Sequence, residues 1–187
     1  DAAGRPIGVL RETAENLVTA LMDGEVDAAA VRRMAELASE ECLRHGITSF
    51  QDAGASFAQI EVLRSMAEAG ELPLRLWLML GEDNATLAER LPGYRVHRAG
   101  DGFLTVGGIK RYADGALGSH GAWLLEPYSD QPESTGLNIV TAEELAVSAR
   151  LAAEHRLQLC THAIGDRANR VTLDVYEEML IRLADGD

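Results

Sequence analysis

The chain has 187 residues, 47% hydrophobic and 25% charged, a composition that excludes a disordered or fibrous chain and fits one globular domain with a sizeable core. Lys and Arg total 17 against 30 Asp and Glu, giving a formal net charge of -13. The basic surface that a nucleic-acid backbone requires is missing, so nucleic acid is not an expected partner. Two distant cysteines, Cys42 and Cys160, make neither a disulfide framework nor a metal clip and fit a reducing cytoplasm. No apolar run approaches the roughly 18 residues that span a bilayer, and no basic-then-apolar leader opens the chain, so no membrane association is expected.

Residues 1 to 10, with two glycines and a proline, read as a loop, followed by helical patterning from Arg11 to Met22. A second helix is expected over Ala28 to His45, with Val31, Met34, Ala35, Ala38 and Cys42 at helical spacing. His45 in its last turn and Gly46 just after it suit a helix end, which makes His45 structural. Ile47 to Phe50 reads as a short strand closed by a turn at Gln51 to Gly54, and a helix follows with Phe57, Ile60, Leu63, Met66 and Ala67 inward. Leu74 to Leu80 is a nearly continuous apolar strand, with a short helix from Asn84 to Arg90 after it. Phe103 to Ala113 and Leu157 to Thr161 are the third and fourth strands. Thr141 and Glu144 have capping-box spacing for a helix to about His155, while Asp166 is placed to cap another running to about Leu183.

Strands separated by helices imply right-handed βαβ units and a parallel sheet. The first three strands begin near residues 47, 74 and 103, a repeat of roughly 30 residues that suits the units of an eight-fold barrel or of a doubly wound sheet. Neither GxGxxG nor GxxxxGK[ST] is present, which weakens the nucleotide-binding versions of the fold. The fold class is therefore α/β, a partial (β/α)₈ TIM-type barrel, because four strands are half of what a barrel needs.

Active groups of such folds gather at the carboxyl ends of strands. Asp52 lies in the first such segment. In the third, Lys110 comes late in a strand, and the two-residue period puts Tyr112 and Asp114 on its face, with Ile109 and Ala113 opposite. An inward lysine needs a carboxylate partner, for which Asp114 is a candidate, or a chemical modification. The alternative is a lysine that pairs with an acid or reaches solvent at the strand end. The long connection from Gly115 to Val140 suits either a pocket-shaping loop, with Ser119, His120 and Trp123 as substrate contacts, or an exposed insertion. His162 follows the fourth strand directly. It is a metal ligand, a general base or a satisfied structural residue.

The segments GGIKRYADGALGSHGAWLLEPYSDQPESTG and CTHAIGDRANRVTLDVYE, with GITSFQDAG and GRPIGVLRETA before them, resemble the YtcJ-like branch of the amidohydrolase superfamily. The resemblance runs through nearly the whole chain. It implies a metal-dependent hydrolase of carbon–nitrogen bonds other than peptide bonds, of the amide or N-substituted formamide type, using zinc or a similar divalent ion on a small-molecule amide. It further implies that Lys110 matches the strand-four lysine, carboxylated in many relatives, and His162 the strand-five histidine, both as metal ligands and catalytic residues. Asp52, Asp114, Ser119, His120 and Trp123 are then expected around the substrate. His120 stands where relatives commonly have arginine. The HxH motif, the strand-six histidine and the strand-eight aspartate are not in residues 1–187, which implies a piece covering strands two to five, without the remaining barrel and the β-sandwich. The alternative is a non-catalytic structural or interaction domain. Half a barrel exposes strand edges, so a homo-oligomer through those edges is expected.

Overall fold

The computed structural model describes residues 8, 10, 12–22 and 27–185. The loop expected over residues 1 to 10 lies outside these apart from Gly8 and Leu10, as does Arg11. Glu12–Glu15 form a 3₁₀ turn running into α1 (Asn16–Met22), and α2 (Ala28–Arg44) follows. Asp27 caps α2 by accepting from the Ala29 and Ala30 amides. His45 closes it as expected, and Gly46 beyond takes a positive φ of 76°.

The alternating units come next: β1 (Ser49–Ala55), α3 (Phe57–Glu68), β2 (Arg75–Leu80), α4 (Asn84–Arg90), the short turn α5 (Ala99–Gly102), β3 (Leu104–Tyr112), α6 (Ala142–Glu154), β4 (Gln158–His162) and α7 (Asp166–Asp185). Thr141 and Glu144 form the anticipated capping box. Ser56 and Gln59 form a second one that opens α3. Asp166 differs from its expected capping role, because it is the first residue of α7 and its carboxylate accepts from the Leu125 and Arg167 amides.

The first strand also departs from expectation. Gln51 to Gly54 do not turn away after Phe50 but continue β1 to Ala55. Pairing with β2 supplies the backbone partners that weak strand propensity does not, and Gly54 (φ 133°) sits at a register shift between Ala53 and Ala55.

All four strands are parallel and lie in the order β1-β2-β3-β4. That order has no reversal point, which is what a segment of a (β/α)₈ barrel requires and a doubly wound sheet does not offer. One face of the sheet carries Leu78, Leu80, Leu104 and Ile109 into a core with Phe57, Ile60 and Met66 of α3 and Leu151 of α6. At roughly 25 cal/mol per Å² of apolar surface, this burial is the main favourable contribution to the fold.

A second register shift, between Leu78 and Met79, skips Gly107. Leu104, Val106 and Ile109 consequently all share the helix-facing side, and Lys110 falls on the opposite one. Strict alternation from Val106 would have turned Lys110 into the core. Glycine is needed here because a Cβ on Gly107 would lie 2.1 Å from Nε1 of Trp77. Among the described residues, no helix is long and apolar enough to cross a membrane.

Candidate active site

Parallel partners project to the same face. Lys110 is in register with Cys160, and Tyr112 with His162, so four side chains from the ends of β3 and β4 gather on the face away from the helices. The Tyr112 ring connects them. Its centroid is 4.5 Å from Lys110 Nζ and 5.4 Å from the His162 ring centroid. Burial pushes the Lys110 ammonium below its ordinary pKa, with the Cys160 thiol pulling weakly the other way. Burial raises Cys160, and the neighbouring lysine offsets part of that. Lys110 is the chain's single lysine, since sixteen of the 17 basic residues are arginine.

His162 is 28% exposed, yet its Nε2 is buried and lacks a hydrogen-bond partner. A buried imidazole nitrogen without a partner is costly unless something else takes its lone pair or proton. Asp114 Oδ1 stands 3.7 Å away, too far for a hydrogen bond.

Asp114 is not the partner of Lys110. Its fully buried carboxylate accepts from the amides of Trp123 (2.9 Å), Ile164 (2.9 Å) and Gly165 (2.7 Å). It thereby pins the long loop and the turn before α7 to the end of β3. These backbone donors occupy the carboxylate, which leaves Lys110 without an ion pair among the described residues.

The rest of the Gly115–Val140 connection is tethered around the buried Ala122 and Tyr128, with exposed stretches between. The Tyr128 hydroxyl donates to the Ala122 carbonyl, and the Ala168 amide donates to the Trp123 carbonyl. A Cβ on Gly136 or Gly165 would come within 1.9 Å of a loop carbonyl oxygen. Trp123 stacks near Arg167, 5.6 Å from the guanidinium carbon. Ser119 donates to the Ala116 carbonyl within a 3₁₀ turn. His120 takes a left-handed backbone (φ 58°), bonds Asp130 at 3.0 Å and packs edge-on against Tyr128. These contacts give Ser119 and His120 roles within the loop.

Asp52 is not brought together with Lys110 and His162. It pairs in register with Leu78, whose side chain enters the helix-facing core, and it lines a groove with Met34, Ala38 and Cys42 of α2. Reading Gln51–Gly54 as a turn concealed this, because a strand residue's face depends on its register. Cys160 was missed as a neighbour of Lys110, although it lies two residues before His162 and so on the same face. The single lysine was a compositional signal of the same site.

The amidohydrolase family model matches residues 1–187. The chain belongs to the amidohydrolase family. Two curated proteins are similar to the chain, one of them described as a putative amidohydrolase. Protein LONG AFTER FAR-RED 3 of Arabidopsis thaliana is 30% identical over 197 residues, covering 99% of this chain and 33% of that protein. YtcJ of Bacillus subtilis is 28% identical, covering 95% and 34%. The chain thus spans about a third of the length of these relatives. Two crystal structures of uncharacterized metal-dependent hydrolases share the fold of this chain. That from Pyrococcus horikoshii OT3 superposes with a TM-score of 0.78 at 25% identity, over 93% of this chain and 37% of the other. The Pyrococcus furiosus structure gives 0.80 at 24% identity, over 94% and 38%.

Proposed function

We propose that this chain carries part of the catalytic site of a metal-dependent hydrolase of carbon–nitrogen bonds other than peptide bonds, of the amide or N-substituted formamide type. One observation carries the reading: the chain's single lysine and the unpartnered Nε2 of His162 share one face of the sheet, joined through the Tyr112 ring. Family membership and the description of the Pyrococcus horikoshii structure as a metal-dependent hydrolase support it.

Lys110 and His162 fit a divalent cation, zinc first. An imidazole nitrogen suits zinc, and a lysine, unlike an arginine, can give up a proton from its amine and take up carbon dioxide as a carbamate. Carboxylation of Lys110 would replace a poorly solvated cation with anionic oxygen donors, and burial already disfavours the ammonium. A bound divalent ion supplies a water acidified toward neutral pH and a polarised substrate carbonyl. The Tyr112 ring lies near both Lys110 and His162. Asp114 holds Trp123 and the Ile164–Gly165 turn beside them, so the long loop can cover a small-molecule amide and limit its access to water.

Among the described residues, no group of three or more His, Cys, Asp or Glu could hold a metal ion. This favours a second reading for residues 1–187 alone, as a structural unit inactive by itself, with further ligands contributed by other parts of a larger barrel. In that arrangement the four strands are strands two to five, acting in the cytoplasm on a soluble substrate.

The test is turnover of a panel of N-formyl and N-acyl amines by the full-length protein, before and after chelation. Ion-dependent turnover that disappears in Lys110→Ala and His162→Ala supports the reading. Turnover that survives chelation and both substitutions refutes it.

A further inference from the structure

Arg111 is a half-buried cation without an acid at ion-pair distance among the described residues, Asp83 acting on it only at longer range. It projects from β3 to the helix-facing side, away from Lys110. Its Nε donates to the buried Ser148 hydroxyl of α6 at 2.7 Å, and its Nη2 donates to Asn84 Oδ1 of α4 at 2.8 Å. Nη1 donates to the main-chain carbonyl of Lys110 at 2.7 Å. Ser148 and Asn84 are themselves joined at 2.7 Å, and Asn84 Nδ2 donates to the Glu144 carbonyl at 2.9 Å.

Burying a guanidinium against neutral acceptors costs free energy that an apolar side chain of similar length would avoid. Packing between helix and sheet therefore does not explain an arginine here. Its third hydrogen bond does. β2 pairs with β3 only as far as Leu80, opposite Ile109, so Lys110 is the first residue of β3 beyond the end of that neighbour. The Arg111 fork takes the carbonyl at this point and ties it to two helices.

We infer that Arg111 is a positioning residue for Lys110: its guanidinium fixes the main chain at Lys110 against α4 and α6, and so sets the direction in which the lysine leaves the strand toward His162. The inference rests on the proposed metal-ligand role of Lys110 and His162. Groups that orient a ligand without touching the ion influence affinity strongly.

The experiment measures Zn²⁺ affinity of the full-length protein by competition with a chromophoric chelator, alongside its melting curve. Arg111→Met, which keeps the apolar stem but loses the fork, is expected to weaken Zn²⁺ binding about 10- to 100-fold. Arg111→Lys keeps the charge without the planar fork and should fall between it and the native protein. Ser148→Ala removes one arm but leaves the bond to Lys110, so it should lower the melting temperature while affinity stays within about twofold. Native affinity in both folded Arg111 variants would overturn the inference, as would an equal loss in Ser148→Ala, which would make the effect one of packing. If Arg111→Met does not fold, Arg111→Lys and Ser148→Ala carry the same comparison. A native protein that binds no Zn²⁺ would instead remove the reading of Lys110 and His162, a failure visible before any substitution is made.

Discussion

The Asp114 carboxylate lies 3.7 Å from Nε2 of His162, yet it bonds three backbone amides and not the imidazole. A residue just beyond the end of the lysine's strand thus builds the frame around the histidine while leaving the nitrogen itself free.

Asp114→Ala would strip an acceptor from the amides of Trp123, Ile164 and Gly165 and should destabilise the protein by about 2–4 kcal/mol. Urea unfolding followed by tryptophan fluorescence measures this. A loss under about 0.5 kcal/mol, the size of an ordinary surface substitution, would mean that the carboxylate does not hold the loop.

Gly165 should tolerate no side chain. Its Cβ would sit 1.9 Å from the Trp123 carbonyl oxygen, so Gly165→Ala must displace the loop or the start of α7, at a cost of about 1–3 kcal/mol. Limited proteolysis should reveal faster cleavage between residues 115 and 140, and native protection there would argue against the packed loop.

The cap on α4 gives a pH signature. Hydrogen bonds from the Thr86 amide and hydroxyl hold the Asp83 carboxyl below its ordinary pKa. A depressed folded pKa stabilises the protein above the unfolded value of about 3.9, and the contribution is lost as pH falls through the folded value. Asp83→Ala should cost about 1 kcal/mol at neutral pH and progressively less below about pH 4. A cost that stays constant down to pH 2 would contradict the cap.

Much of this was legible in the sequence, and the exceptions have physical causes. The Thr141–Glu144 cap, the β2 strand and the pairing of Lys110 and Tyr112 on one face depend on neighbours within a few positions. Asp52 falls on the helix-facing side because its face depends on pairing with Leu78, which local propensity does not encode. Asp114 stood as a candidate partner of Lys110 because two of its actual partners, the Ile164 and Gly165 amides, lie 50 and 51 residues away. Spacing alone left Lys110 and His162 with ordinary structural explanations, and the resemblance to known amidohydrolase motifs singled them out.

The isolated chain should self-associate. Leu173, Leu180, Ile181 and Leu183 of α7 are 49–67% exposed, and among the described residues β1 and β4 each have one side without a partner strand. Size-exclusion chromatography with light scattering should show species above the monomer mass, whereas a clean monomer at working concentration would contradict it.

The central claim concerns Lys110 and His162 as ligands of one divalent ion, and metal content measures it most directly. Full-length protein loaded with Zn²⁺ and desalted should retain metal stoichiometrically, and Lys110→Ala and His162→Ala should each lose most of it while melting as cooperatively as the native protein. Native metal content in both variants would contradict the account.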